Sequence, residues 1–450
     1  MVSRKKERTA ITTVRDRIDA GLVIASLVLL SILTAMSKFE FFDKLLGLDG
    51  NVETGSIATQ ILWGLVYAHA AWRLVGLRVQ AAPLIRRSLP LVAFLILIAL
   101  SYAWSVDPWV TFRNSTEMIG TTTLCYYVVV RFTLREFLDI LVKYFTGIAV
   151  VSFLLVFLWP SHGRSTGGVV GWCGLFSEKN GFGAAMGLAI VTYAIALATA
   201  SDKRKKAFLT GCLALALVLF IGAQSTTASI VLTVTSIVVL TAVGSSTRNY
   251  GGTVLIAAAI TATGGIIFVL TTGIDSAAFF EMIGKTSTLT GRTEFWPGII
   301  RAIGDRPILG FGYNAFFFTQ STVQEYIAGL TGWWIPLTAH NSYYQMILSI
   351  GYIGITIFSF AVGPAVFVSL MQVVRERSIL AAWPFAILLY SLLGSFTEVY
   401  VGIPNAIGSI CFTIAILYPF RALKGRPPAV SSQPLPKKRL LEELQQPISV

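Results

Sequence analysis

A helix needs about 20 consecutive apolar residues to cross the roughly 30 Å hydrocarbon core of a bilayer, and runs of that kind recur along most of this chain. They fall near 18–36, 56–76, 88–106, 115–130, 137–158, 180–200, 207–223, 228–245, 252–272, 341–372, 378–398 and 402–420, which predicts twelve spans. Composition agrees. Across 450 residues, 55% are hydrophobic and only 13% charged, too little polar surface to cover a soluble globule of that size. The expected fold is an all-α, polytopic integral membrane helix bundle, and a soluble enzyme or a disordered chain is excluded.

A net charge of +13 would suggest nucleic acid in a soluble protein, so the distribution of the basic residues matters. With the N-terminus cytoplasmic, the inner segments collect 26 of the 35 Lys and Arg. The outer side holds nine: Lys38, Lys44, Arg113, Arg164, Lys179, Lys285, Arg292, Arg301 and Arg306. The positive-inside rule therefore places both termini in the cytoplasm. The basicity reads as topology and attraction to anionic lipid, with membrane lipids as partners and no nucleic acid. The first apolar run follows a basic start without a small-residue cleavage site, as an uncleaved anchor would.

The chain divides into a basic N-terminus (1–17), spans one to nine (18–272), a large outer loop (273–340), spans ten to twelve (341–420) and a flexible basic tail (421–450). At 68 residues the loop is far longer than ordinary connections, and its aromatics argue against disorder. Within it, Trp296, Ile299, Ile300 and Ile303 share one helical face. They predict a short amphipathic helix at the membrane interface, with Thr293 as N-cap, Pro297 in the first turn and Gly304 and Pro307 ending it. Its start would hold Arg292 near the headgroups. Asn341 or Ser342 is the expected cap of the tenth span.

Few residues can carry chemistry. Of three histidines, His69 lies in the second span, where a neutral, hydrogen-bonded packing role is expected, and His162 lies in a loop and is ambiguous. His340, where the long loop meets the membrane, is the best general-base candidate, and an interfacial histidine beside a helix cap is the equal alternative. Arg292 stands on the side kept poor in positive charge and suits an anionic group such as a diphosphate. Cys125, Cys212 and Cys411 fall in spans and Cys173 in a loop, with no disulfide or metal-ligand spacing. Gly284-Lys285-Thr286 is not a P-loop, because Phe279 stands where that motif requires glycine. Gly310-Phe311-Gly312 reads as no more than a turn.

Taken together, Leu175-Phe-Ser-Glu-Lys-Asn180, Gly291-Arg-Thr with Trp296, Pro307-Ile-Leu-Gly-Phe-Gly312, Ala339-His-Asn-Ser342, Gln345 and Gly351-Tyr-Ile-Gly354 resemble the O-antigen ligase and polysaccharide polymerase superfamily. Within it the likeness is strongest to the exopolysaccharide-production polymerases, over roughly 160–420. The resemblance implies an inner-membrane glycosyltransferase with a large periplasmic loop, here between the ninth and tenth spans, and an active site facing the periplasm. It implies an undecaprenyl-diphosphate-linked saccharide donor, neither metal nor cofactor, and polysaccharide export components as further candidate partners. By resemblance His340 corresponds to the catalytic histidine and Arg292 to the loop arginine. Lys179, Arg164, Asn180, Glu294, Trp296 and Asn341 complete the candidate substrate-binding set. One departure tilts the expectation toward a polymerase: ligases usually carry a Ser-Arg pair where the seventh and eighth spans meet outside, and here Gln224-Ser-Thr-Thr227 has no arginine. The alternatives are a ligase, a secondary transporter and a non-catalytic assembly subunit.

Overall fold

The computed structural model describes residues 14–36, 57–165, 170–244, 292–318, 329, 338–376 and 379–422. Among these every regular element is helical, and the one extended pairing is an isolated bridge between Arg164 and Trp172. In chain order the helices are α1 (Val14–Met36), α2 (Ile57–Gly76), α3 (Arg78–Arg87), α4 (Leu89–Leu100), α5 (Pro108–Arg131), α6 (Leu134–Leu158) and α7 (Lys179–Thr199). They continue with α8 (Lys203–Ala223), α9 (Thr226–Gly244), α10 (Arg292–Asp305), α11 (Ser342–Glu376), α12 (Ala382–Gly394) and α13 (Ile407–Ala422). By length and composition five of the described helices (α6, α7, α8, α9 and α11) can cross a membrane, and the bent pair α3 and α4 would make a sixth. The protein is a multi-pass membrane helix bundle. The expected span at 252–272, and most of the loop at 273–340, lie outside the described residues.

Several expected spans differ in form. The run at 88–106 is α4 followed by a 3-10 turn, Ser101–Trp104, and α3 meets it at 86°. Pro90 explains the break: it has no N–H to continue a helix from α3 but is tolerated in the first turn of a new one. Ser88 at the corner is satisfied by Leu84 O and the Tyr126 hydroxyl. The last two runs are shorter than a crossing requires, with α12 spanning 13 residues and α13 16. Between them, irregular backbone from 395 to 406 is folded into the protein, which is where non-helical backbone is tolerated at membrane depth.

Helix α7 is central, packing on α6, α8, α9, α12 and α13. It is buried on nearly all faces, as befits a helix without a polar stripe. Gly183, Ala184, Ala185, Gly187 and Ala189 let its neighbours approach closely. Trp383 of α12 donates its indole N–H to Thr192 Oγ1 of α7 at 3.2 Å, so the largest side chain in this contact is not left with a bare donor.

Helix α11 is broken at Ile350 and Gly351, the latter in the left-handed region at φ +66°. The segment 307–312 fills the break. Phe311 N–H donates to Leu348 O at 2.7 Å and Gly312 N–H to Ser349 O at 3.0 Å, while Tyr352 N–H donates to Pro307 O at 2.8 Å. Trp104 Nε1 then donates to Leu309 O and Val106 N–H to Phe311 O, both at 2.9 Å, tying the clip to the loop before α5. The motif Gly310-Phe311-Gly312 is thus a backbone clip for a broken helix, more than the turn it reads as. A Cβ on Gly310 would sit 2.6 Å from Leu348 O, and one on Gly351 would collide with Ile308 O.

At the other end of α5, Asp19 of α1 is 2% exposed. Arg73 of α2 reaches it at 2.6 Å and Arg131 of α5 at 2.7 Å. A buried ion cluster thus ties α1, α2 and α5 together. His69 lacks its expected hydrogen bond: its Nε2 is buried without a partner among the described residues. All four cysteines are buried and none forms a disulfide.

Gly351→Ala is expected to destabilise the protein by about 2–4 kcal/mol, from the cost of a left-handed backbone and the clash together. Gly363→Ala on the same helix, where a Cβ would meet nothing within 4 Å, is expected to change stability by no more than about 1 kcal/mol. Thermal unfolding in detergent, followed by labelling of the buried cysteines, checks both.

Candidate active site

A cavity of about 230 Å³ opens between the start of α7, the turn before α11 and the segment between α12 and α13. Its polar side is made by Glu178, Asn180, Thr338, His340 and Glu398. Its remaining walls are apolar, with Ala184 and Leu188 of α7 facing Ile403 and Ile407. A polar lip over an apolar hollow suits a ligand with one wet and one greasy end.

The turn carrying His340 is sewn down on both sides. Asn341 Oδ1 accepts from Tyr343 N–H at 2.9 Å and Tyr344 N–H at 3.1 Å, capping α11, while its Nδ2 donates to Phe396 O at 3.0 Å. Ser342 Oγ accepts from Tyr400 N–H at 3.0 Å and donates to Glu398 O at 3.2 Å. Gln345 Oε1 accepts from Ala339 N–H at 2.9 Å. These bonds hold His340 at φ +46°, a left-handed conformation that costs a non-glycine residue about 1–2 kcal/mol. The imidazole of His340 places Nδ1 3.0 Å from Glu398 Oε2. Glu398 Oε1 accepts from Asn180 Nδ2 at 2.7 Å, and Asn180 Oδ1 accepts from Ser225 Oγ at 3.1 Å.

Helix α10 buttresses the turn from the other side. Phe295, Trp296, Ile299, Ala302 and Ile303 are its buried face, whereas Ile300 is 54% exposed, so the expected stripe is rotated. That face packs on Ala339, Tyr344, Ile347 and Leu348, so its apolar surface is used within the protein. With the helix opening at Arg292, Thr293 lies inside it instead of at its cap, and Pro297 falls in the second turn instead of the first. Trp296 Nε1 donates to Ala339 O at 3.1 Å, and the Phe295 and His340 ring centroids are 6.1 Å apart. Below the clip, Tyr313 donates its hydroxyl to Gly402 O at 2.7 Å; burial pushes this phenol well above its ordinary range, so it serves as a neutral donor.

Of the residues predicted from sequence, His340 and Asn180 line the cavity, and Asn341 supports it from the helix cap. Trp296, expected in the substrate-binding set, is 5% exposed with its indole N–H donated to Ala339 O, so in this structure it holds the Ala339–His340 turn. Lys179 and Arg164 do not line the cavity. Lys179 Nζ donates to Val170 O at 2.9 Å from the first turn of α7, and Arg164 Nε to Val156 O at 3.3 Å. Arg292 and Glu294 belong to the first turn of α10, and their side chains lie outside the described set. Glu398 and Ser225 escape a sequence reading. The available signal for Glu398 is a lone carboxylate, in Ser395-Phe-Thr-Glu398, at the junction of two apolar runs, where an ionisable residue calls for a partner.

Residues 211–359 match the family model described as O-Antigen ligase. Over 341 residues the chain is 24% identical to "Exopolysaccharide production protein ExoQ" of Rhizobium meliloti (strain 1021), a match covering 70% of this chain and 73% of that protein. Both findings bear out the resemblance read from the motifs.

Asn341→Ala removes the cap of α11 and the bond to Phe396 O together, and is expected to lower stability by about 1–2 kcal/mol. Asn341→Asp keeps the cap acceptor and is expected to lose less in the same thermal unfolding measurement.

Proposed function

We propose that this chain is a glycosyltransferase of the bacterial inner membrane that polymerises undecaprenyl-diphosphate-linked saccharide repeat units in exopolysaccharide biosynthesis, with its cavity facing the periplasm. Its similarity to O-antigen ligases and to an exopolysaccharide production protein, together with its apolar helices, supports a membrane polysaccharide-processing enzyme. One observation carries the finer reading: His340, its ring against a buried carboxylate, lines a cavity that is polar at one side and apolar beyond it.

In the reaction His340 accepts the proton of an attacking sugar hydroxyl as its oxygen bonds to the anomeric carbon of the donor. The bond from that carbon to the diphosphate breaks, and the electron pair leaves with the lipid diphosphate. A positioned base supplies about 10² to 10⁴ in rate. Arg292 stabilises the leaving charge, joined by Lys179 or Arg164 once the side chain swings in from Val170 O or Val156 O. Two placements favour this. Phe295 packs beside His340 three residues after Arg292, a rise of about 4.5 Å along a helix. The first turn of α7 has no side-chain cap bond and opens with Lys179, and a helix start favours negative charge. Glu294 and Asn180 complete the proposed set of polar contacts.

The family description favours a second reading, an O-antigen ligase transferring finished polysaccharide to lipid A-core. Against it, the segment expected to carry a ligase arginine instead uses Ser225 to hold Asn180. The break in α11 is the feature a secondary transporter would need, and substrate uptake by the purified protein in vesicles would support that reading.

His340→Ala and Arg292→Ala are each expected to abolish polymer formation while the protein still inserts, and polymer retained in both removes the assignment. Deletion of the gene is expected to leave single lipid-linked repeat units. Free long chains beside bare lipid A-core would instead indicate a ligase.

A further inference from the structure

We infer that Glu398, held by Asn180 and Ser225, is a positioning residue that fixes the tautomer of His340 so that Nε2 is the nitrogen that takes the proton. This rests on the reading of His340 as the base. The three residues come from different parts of the bundle: Asn180 from the start of α7, Ser225 from the corner between α8 and α9, and Glu398 from the irregular segment between α12 and α13. They converge in a chain in which each bond constrains the next. Ser225 Oγ–H donates to Asn180 Oδ1, which turns the Asn180 amide so that Nδ2–H faces Glu398 Oε1. That bond in turn directs Glu398 Oε2 at Nδ1 of His340, 3.0 Å away.

The carboxylate is 7% exposed, and both its oxygens are engaged by these two partners. With Glu398 ionised its oxygens only accept, which puts the hydrogen of this contact on Nδ1. With Nδ1 as donor the neutral ring keeps its lone pair on Nε2, and the imidazolium formed after proton transfer has its counter-charge already in place. No further side-chain movement is required during the step. Asn180 thereby acquires a role beside substrate contact, since each end of its amide makes one bond within the protein. Gln224, in the left-handed conformation at φ +50°, makes the corner that delivers Ser225 to it.

The experiment uses full-length protein in nanodiscs with ring-¹⁵N histidine. Three histidines make the spectrum assignable, and His340→Ala identifies the third signal. In the wild type His340 is expected to give one protonated Nδ1 and one unprotonated Nε2. In Glu398→Gln, whose amide can both donate and accept, the ring is expected to become a mixture of tautomers. Chain extension is assayed on lipid-linked donor extracted from cells lacking the gene. Glu398→Gln is expected to lower kcat by about 10² to 10³ with KM within about threefold, as loss of an orienting carboxylate does in other base-assisted sites. Combined with His340→Ala it is expected to cause no further loss. An unchanged tautomer, a rise in KM alone, or a double variant slower than His340→Ala overturns the inference. Should Glu398→Gln fail to insert, Ser225→Ala carries the test, with a smaller fall in kcat of about 3- to 10-fold and partial tautomer mixing expected, and neither effect overturning it. Full activity of His340→Ala removes the reading of His340 as the base, while the tautomer measurement still reports separately on the Glu398 contact.

Discussion

Backbone groups freed from a helix in an apolar medium must find partners inside the protein, and the break at Ile350 and Gly351 shows how this chain meets that demand. Segment 307–312 lends its own N–H and C=O groups to the interrupted helix. The patch also locates things. Helix α10 ends at Asp305, two residues before Pro307, the clip's first bonded residue, and α11 begins just after His340, so one set of backbone bonds fixes the buttress relative to the turn it supports. The buried face of α10 can then press Phe295 and Trp296 against Ala339 and His340. The left-handed histidine is held by the sum of these constraints, because no single bond offsets its conformational cost alone.

The same logic organises the cavity. Non-helical backbone at 395–406 is accepted because Asn341, Ser342, Tyr313 and Asn314 supply its hydrogen bonds, and it carries Glu398 to His340. The pair that defines the site lies 58 residues apart in sequence. Their meeting depends on two short helices stopping where they do.

Much of this was legible in the residues themselves. Apolar runs announce the helices, His340 and Asn341 stand at a recognisable helix start, and spacing alone predicts a helix beginning near Arg292. What stays hidden has a common cause. Hydropathy measures composition and is blind to direction, so the run at 341–372 looks uniform although it contains a break, and 378–420 looks like two crossings although part of it is folded loop. Periodicity finds a helical face only to within one residue's rotation, which is why Ile300 was counted and Phe295 was not. The burial of Trp296 is hidden for a related reason: an indole at an interface and an indole in a packed seam have the same neighbours in sequence.

The cluster around Asp19 carries an implication for biogenesis. Its carboxylate emerges early, its first arginine follows 54 residues later and its second 112 residues later. A lone acid inside a nascent bundle is costly until a cation reaches it. The amino-terminal helix therefore has reason to wait, loosely lodged, for the second to join it, and only the arrival of the fifth closes the knot. The order in which ribosome and insertion machinery release these segments is thus written into which charges need one another.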